Sequence, residues 1–142
     1  GGSKMMQAAR EILKPYGDKA PILIAVTVLT SMSEEDLLDL GITHSPEQQV
    51  NFLAGLAHKA GMDGVVCSAQ EAVMLKQKYG TDFKLITPGI RTADASVDDQ
   101  KRIMTPQRAV EAGSDYLVIG RAITKSENPI QTMKDIYSSL ND

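Results

Sequence analysis

Two arginines in this 142-residue chain stand in sequence contexts that are typical of anion-binding sites. Arg91 ends the segment "TPGIR", and Arg121 follows Gly120 in the segment "VIGRAIT". A glycine lets backbone amides approach an anion closely, and a guanidinium forms paired hydrogen bonds with phosphate oxygens. We therefore predict a phosphate site built from Arg91, Gly120 and Arg121. The alternative is a pair of glycine turns with solvated arginines.

A long polar segment follows Arg91 and contains Asp98-Asp99, Gln100 and Lys101-Arg102. A simple connection between a strand and a helix needs fewer residues than this. We predict a mobile cover over a ligand, with Arg91 near its root and Gln100 near its far end. A solvated insertion is the alternative, and the adjacent aspartates are expected to be solvated rather than catalytic.

Other kinds of chemistry have little support in the sequence. Cys67 is the single cysteine, so an internal disulfide is excluded, and no histidine is placed to activate it as a nucleophile. His44 and His58 are isolated and do not form a metal site. We expect no metal site, because the only chemical function that the pattern indicates is binding of a phosphate.

The composition excludes several classes of partner. A net charge of -3, 4% aromatic residues and no tryptophan argue against nucleic acid and against an anionic membrane surface. The longest apolar run, residues 22–28, has the length of a strand and is too short to span a bilayer. The start of the chain lacks the pattern of a signal peptide, and a single cysteine suits a reducing compartment, so we expect a cytoplasmic protein.

Apolar periodicity predicts an α/β protein in which helices and strands alternate. Predicted strands cover residues 22–28, 64–67, 83–87 and 116–119, and the first is expected to be buried on both faces. Capping boxes are expected at two helix starts, Ser45 with Gln48 and Ser68 with Glu71. The last helix begins at Pro129 and should turn four residues inwards, namely Ile130, Met133, Ile136 and Tyr137.

The polar candidates follow the ends of the predicted strands: Thr30, Ser68, Arg91 and Arg121. In a parallel sheet these ends share one edge, where ligands bind. Four strands with their helices can form a small open sheet or half of an eight-stranded barrel, and the pattern leaves both arrangements open.

Four segments together resemble the C-terminal half of the bacterial orotidine 5'-phosphate decarboxylase family: "LIAVTVLTSM", "DGVVCSAQEA", "TPGIR" with "DDQKRIMTP", and "DYLVIGRAIT". The resemblance covers essentially the whole chain, in order and with the expected spacing. It implies a (β/α)8 TIM barrel, with residues 1–142 as a single domain that supplies strands five to eight, about four βα units.

The same resemblance implies a function. Members remove CO2 from orotidine 5'-phosphate to give UMP in pyrimidine biosynthesis, as homodimers and without a cofactor. It assigns Thr30 to the pyrimidine, Arg91 and Arg121 to the 5'-phosphate with the Gly120 amide, and Gln100 to a bridge between phosphate and base. Ala122 stands where the family usually has proline, which leaves the anion ligands intact.

The family's catalytic lysines and aspartates have no counterpart in the matching segments. We therefore expect no catalytic residue among these 142 residues and no activity from this chain alone. Two other functions remain open. One is a different phosphate-binding barrel enzyme, such as a ribulose-phosphate epimerase or a keto-sugar-phosphate decarboxylase, and the other is a non-catalytic half-barrel that binds phosphorylated ligands.

Overall fold

The structure is a computed structural model that describes residues 1–91, 102 and 104–140. Helices and strands alternate in it as the sequence predicts. The elements are α1 (Gly2–Leu13), a 3-10 helix (Lys14–Lys19), β1 (Ile24–Val26), α2 (Glu34–Asp39), α3 (Pro46–Lys59), β2 (Gly64–Val66), a second 3-10 helix (Ala69–Glu71), α4 (Ala72–Tyr79), β3 (Lys84–Thr87), α5 (Pro106–Glu111), β4 (Tyr116–Leu117), α6 (Arg121–Thr124) and α7 (Pro129–Ser139). The short helix α6 was not predicted.

The four strands form one parallel sheet in the order β1-β2-β3-β4. Ile24 pairs with Gly64, Gly64 with Lys84, and Ile86 with Tyr116. The predicted α/β fold with a parallel sheet is therefore confirmed. All four strands point the same way, so their carboxyl-terminal ends lie together at one end of the sheet. We call this end the carboxyl edge.

The main hydrophobic core lies between one face of the sheet and the helices α3 and α4. Its fully buried members include Val50 and Ala54 of α3, Val65 of β2, Leu75 of α4 and Leu85 of β3. Helix α3 is held at its start by the predicted capping box, in which the Ser45 hydroxyl accepts from the Gln48 amide. This layer fixes the sheet relative to the helices and so fixes its carboxyl edge.

The prediction that the first strand is buried on both faces is wrong. Strand β1 is shorter than expected, and the Val26 side chain is 60% exposed. Leu23 and Ala25 pack on the core, whereas Val26 alternates to the opposite face of the sheet. Tyr116 of β4 and Val118, which follows β4, lie on the same face as Val26 and are also about half exposed. That opposite face is apolar and carries no covering layer within the described part of the chain.

The predicted inward stripe of α7 is also wrong for three of its four residues. Ile136 is buried, but Ile130, Met133 and Tyr137 are 65%, 53% and 71% exposed. Helix α7 packs against α5 and α6, and one row of side chains is enough for that contact. A helical stripe predicts which residues share a face, and the neighbours decide whether that face is covered.

A capping box that the sequence analysis did not predict is present at Ser33, with the Asp36 side chain as the reciprocal partner. At Ser68 the contacts differ from the prediction, because the hydroxyl accepts from the Gln70 amide and the Glu71 carboxylate pairs with Arg102.

Across residues 1–91, 102 and 104–140, no helix has the length and apolar character that a membrane crossing requires.

Candidate functional site

Three predicted ligand-binding residues lie the same number of positions after the ends of their strands in the sequence. Strands β1, β3 and β4 end at Val26, Thr87 and Leu117, and Thr30, Arg91 and Arg121 each follow four residues later. Because the strands are parallel, all three residues are brought to the carboxyl edge of the sheet. The common edge predicted from the sequence is therefore present.

Arg91 is a buried cation at this edge, with only 6% of its surface exposed. Its Nη1 donates a hydrogen bond to the Ile90 carbonyl at 2.9 Å, and its backbone amide donates to Met104 at 3.1 Å. Its Nε has no hydrogen-bond partner among the residues that the structure describes. Buried polar groups are almost always paired, so this guanidinium is suited to an anion that supplies the missing acceptor.

Arg121 is the first residue of α6, and Gly120 is its N-cap. Gly120 is exposed and Arg121 is half-buried. A Cβ at Gly120 would meet no described atom within 4 Å, so the space beside this backbone is open. The segment therefore offers a cationic side chain beside an accessible stretch of main chain.

Thr30 is buried in the turn after β1, where the Met32 amide donates to the Leu29 carbonyl at 3.0 Å. Gln100 lies outside the described residues, as do Asp98 and Asp99. The described ends of that connection are joined by a parallel bridge between Ile90 and Met104.

Arg102 is a residue of this edge that the sequence interpretation missed. The sequence analysis assigned Arg102 no role of its own within the long polar segment after Arg91, yet it is only 9% exposed. Its Nη1 forms an ion pair with Glu71, and its Nη2 donates to the carbonyls of Val28 and Leu29 at 3.3 and 3.0 Å. The partners lie 31 to 74 positions away in the chain, so no local pattern could have indicated them.

Glu71 is the buried counter-charge of Arg102. Burial raises the pKa of its carboxyl, while the Arg102 guanidinium and the Ser68 backbone act in the opposite direction. Glu71 Oε2 and Arg102 Nε have no hydrogen-bond partner in the described part of the chain. Among the residues that the structure describes, two buried arginines and one buried carboxylate thus lie at the carboxyl edge.

Cys67 does not offer a nucleophile. It is fully buried, and burial, with a smaller effect of the nearby Glu71 charge, raises the pKa of its thiol to about 12. The thiolate is the reactive form, so this cysteine is unreactive at neutral pH, as the sequence predicts.

Neither histidine belongs to the carboxyl edge. His44 Nδ1 lies 2.9 Å from Gln49 Oε1, and the His58 ring packs on Tyr79 and Phe83 with centroids 4.9 and 5.4 Å away. Within the described residues, no group of three or more acidic, histidine or cysteine side chains is arranged to hold a metal ion.

Residues 1–136 match the family model described as "Orotidine 5'-phosphate decarboxylase / HUMPS family". The chain belongs to this family. The resemblance of the four sequence segments to orotidine 5'-phosphate decarboxylases is therefore confirmed.

Curated relatives within this family carry the decarboxylase name. The chain is 62% identical over 140 residues to orotidine 5'-phosphate decarboxylase of Escherichia fergusonii and 58% identical to that of Pseudoalteromonas translucida. Each match includes 99% of this chain but only 57% and 60% of the relative. The chain thus spans less than two thirds of the length of these relatives.

Solved structures of the family show the same fold. The decarboxylase from Lactobacillus acidophilus is 37% identical with a TM-score of 0.79, and the match covers 99% of this chain and 60% of that chain. The enzyme from Sulfolobus solfataricus, at 18% identity and a TM-score of 0.62, supports the fold alone. These neighbours are TIM barrels, and this chain corresponds to part of one.

Proposed function

We propose that this chain supplies the phosphate- and pyrimidine-binding part of an orotidine 5'-phosphate decarboxylase, which converts orotidine 5'-phosphate to UMP and CO2. Family membership and the names of the curated relatives support this reaction over the other phosphate-binding barrel enzymes. The observation that carries the proposal is Arg91, a buried guanidinium at the carboxyl edge whose Nε has no described partner.

Arg91 and Arg121 bind the 5'-phosphate in this proposal. Both follow a strand end by four residues, and the open space beside Gly120 gives the anion access to the Gly120 and Arg121 amides. Thr30 binds the pyrimidine from the end of β1, on the opposite side of the same edge. Gln100 retains the role that the family resemblance assigns to it, as a bridge between phosphate and base.

The chain's contribution to catalysis is binding energy at a distance from the reacting carbon. Contacts to a remote phosphate accelerate a reaction when they are used to hold the substrate against the groups that perform the chemistry. We propose that those groups, the family's lysines and aspartates, lie outside these 142 residues. The chain alone is then inactive, and the complete enzyme works without a metal or an organic cofactor.

The domain corresponds to strands five to eight of the barrel. Supporting this, the sheet is parallel and its uncovered face carries Val26, Tyr116 and Val118, as expected for side chains that line a barrel interior. A homodimer in the cytoplasm is the proposed state of the complete enzyme. The exposed apolar side chains of α7 are compatible with further contacts of this kind.

The proposal is tested in the full-length protein that carries these residues. A charged hydrogen-bonding group lost from a desolvated site costs about 2–5 kcal/mol. Arg91→Ala and Arg121→Ala should therefore each lower kcat/KM by roughly thirty-fold to several thousand-fold, at about 1.36 kcal/mol per decade. Steady-state decarboxylation assays measure this loss.

A substrate that lacks the phosphate provides the decisive comparison. The losses in both variants should nearly vanish with it, because the removed guanidinium has nothing to bind. Arg108→Ala is the matched control, since Arg108 is an exposed arginine of α5 and should leave kcat/KM unchanged. Equal losses for Arg91→Ala with and without the phosphate would refute the assignment.

A further inference from the structure

Arg102 connects three strand ends with one residue. Its guanidinium pairs with Glu71 in the turn that follows β2 and reaches the Val28 and Leu29 carbonyls that follow β1. Its own carbonyl accepts a hydrogen bond from the Ser68 hydroxyl at 3.4 Å. Arg102 itself belongs to the connection that follows β3, so contacts of β1, β2 and β3 meet in this side chain.

The hydrogen bond from Arg102 to the Leu29 carbonyl orients the turn that contains Thr30. The Leu29 carbonyl belongs to the peptide group that joins Leu29 to Thr30, and a peptide group is planar. The hydrogen bond of 3.0 Å from Arg102 Nη2 to this carbonyl therefore fixes the plane that also contains the Thr30 amide. The same carbonyl accepts the Met32 amide, which closes the turn around Thr30.

Arg102 is also connected to Arg91, through backbone hydrogen bonds of the nearby Met104. Met104 lies two residues after Arg102, and its carbonyl accepts the Arg91 amide at 3.1 Å. The Met104 amide donates back to the Gly89 carbonyl at 3.4 Å, which completes the bridge between Ile90 and Met104. Fixing Arg102 therefore also fixes the strand end that carries Arg91.

A buried ion pair is poor evidence for stability, since desolvation of both charges offsets much of their attraction. Glu71 and Arg102 each also keep one buried polar atom without a described partner. A buried pair that joins separate loops is better explained by the single arrangement that it imposes on them. Lysine would not reproduce these contacts, because Arg102 uses two separate nitrogens, Nη1 for Glu71 and Nη2 for the Val28 and Leu29 carbonyls, whereas lysine has only one.

We propose that Arg102, with Glu71 as its counter-charge, is a positioning residue that couples the pyrimidine-binding turn at Thr30 to the phosphate-binding segment at Arg91. This inference rests on the proposed function, because it concerns the alignment of the two ends of the same substrate. Arg102 acts through its neighbours and does not touch the substrate.

The test uses Arg102→Lys in the full-length protein, which keeps the positive charge opposite Glu71. We expect kcat/KM to fall at least tenfold for orotidine 5'-phosphate and by a smaller but measurable factor for the phosphate-free substrate, because the Thr30 turn is disturbed in both reactions and the Arg91 segment matters only in the first. Arg91→Ala differs, since its loss depends on the phosphate. Wild-type kcat/KM in Arg102→Lys overturns the inference.

A double-mutant cycle with Thr30→Val separates positioning from general support of the fold. If Arg102 acts through Thr30, the loss caused by Arg102→Lys shrinks at least threefold when the Thr30 hydroxyl is already absent. Losses that multiply independently contradict the inference. Should Arg102→Lys fail to fold, Arg102→Met with Glu71→Leu removes both charges and is expected to fold, again with reduced kcat/KM.

Lys76→Met is the matched control at the opposite edge of the sheet. Lys76 Nζ also donates to one carboxylate and two carbonyls: Asp115 at 2.7 Å, and Thr81 and Phe83 at 2.9 Å each. This variant should lower the melting temperature and leave kcat/KM unchanged. If Arg91→Ala and Arg121→Ala have no effect, the proposed function fails; if they behave as expected and only Arg102→Lys is silent, the coupling alone fails.

Discussion

Asp63 and Asp115 make the same pair of hydrogen bonds at the starts of two different strands. The Asp63 amide donates to the Leu23 carbonyl at 2.8 Å, and its Oδ2 accepts from the Leu23 amide at 2.7 Å. The Asp115 amide donates to the Leu85 carbonyl at 3.0 Å, and its Oδ2 accepts from the Leu85 amide at 2.8 Å. The two aspartates thus hold together the amino-terminal ends of neighbouring strands. At this end of a TIM barrel, contacts support stability rather than catalysis.

Asp115→Ala should lower the free energy of unfolding of this chain by about 1–3 kcal/mol, the usual effect of leaving a partly buried amide and cation without their acceptor. The carboxylate also pairs with Lys76 and Lys84. Urea denaturation followed by circular dichroism measures the change. Asp39→Ala, at an exposed position at the end of α2, is the control and should stay within about 0.5 kcal/mol of the parent.

Acid should destabilise the chain partly through Asp115. Burial by itself opposes its ionisation, but the hydrogen bond and charge of Lys76 and the Leu85 amide outweigh burial and hold its pKa below the ordinary 3.8. The folded state then binds fewer protons than the unfolded state, so the stabilisation is complete above about pH 5 and is lost as the pH falls through the folded pKa.

The comparison with Asp115→Ala isolates this contribution from that of Glu71, whose pKa burial moves in the other direction. Between about pH 5 and pH 3, the free energy of unfolding should fall more steeply for the parent than for the variant. Parallel pH profiles would show that the carboxylate of Asp115 is not preferentially ionised in the folded state.

Gly64→Ala and Gly55→Ala should have opposite effects. A Cβ at Gly64 would lie 2.1 Å from the Lys84 carbonyl oxygen in the paired strand β3, and this backbone cannot move without disturbing the sheet. A loss of at least about 1–3 kcal/mol is expected from such overpacking. A Cβ at Gly55 would meet only the end of the Tyr79 side chain at 3.0 Å, so the gain in helix propensity of about 1 kcal/mol should prevail. Equal melting temperatures for the two variants would contradict this.

Cys67 should be inert in the folded chain. Its thiol is fully buried with a pKa of about 12, so at pH 8 almost no thiolate is present and no reagent can reach it. A coloured disulfide reagent should react only after urea unfolds the chain, and the unfolded sample gives the expected one thiol per chain. Complete labelling within seconds under native conditions would exclude the buried position.

Local sequence patterns were sufficient where short-range chemistry decides the structure. The capping box at Ser45 and the alternation of strands with helices needed only neighbouring residues, and so did the positions of Arg91 and Arg121 beyond their strands. Burial of Val26 and of the α7 stripe depends on which other elements cover them, which no local pattern contains. Arg102 shows the same limit, because a run of polar residues does not reveal which of its members has buried partners far away in the chain.

The sheet pairs each strand with the one that follows it in the chain, and the lengths of the intervening segments differ. Paired residues are 40 positions apart between β1 and β2, 20 between β2 and β3, and 30 between β3 and β4, as in Ile24 with Gly64, Gly64 with Lys84, and Ile86 with Tyr116. The entropy lost on closing a loop grows with its length, so joining β2 to β3 requires the smallest loss. These two strands also carry Val65 and Leu85, which are fully buried. We therefore expect folding not to follow the order of the chain, because β2 and β3 in the middle of the sheet pair most readily and both outer strands can then add to them.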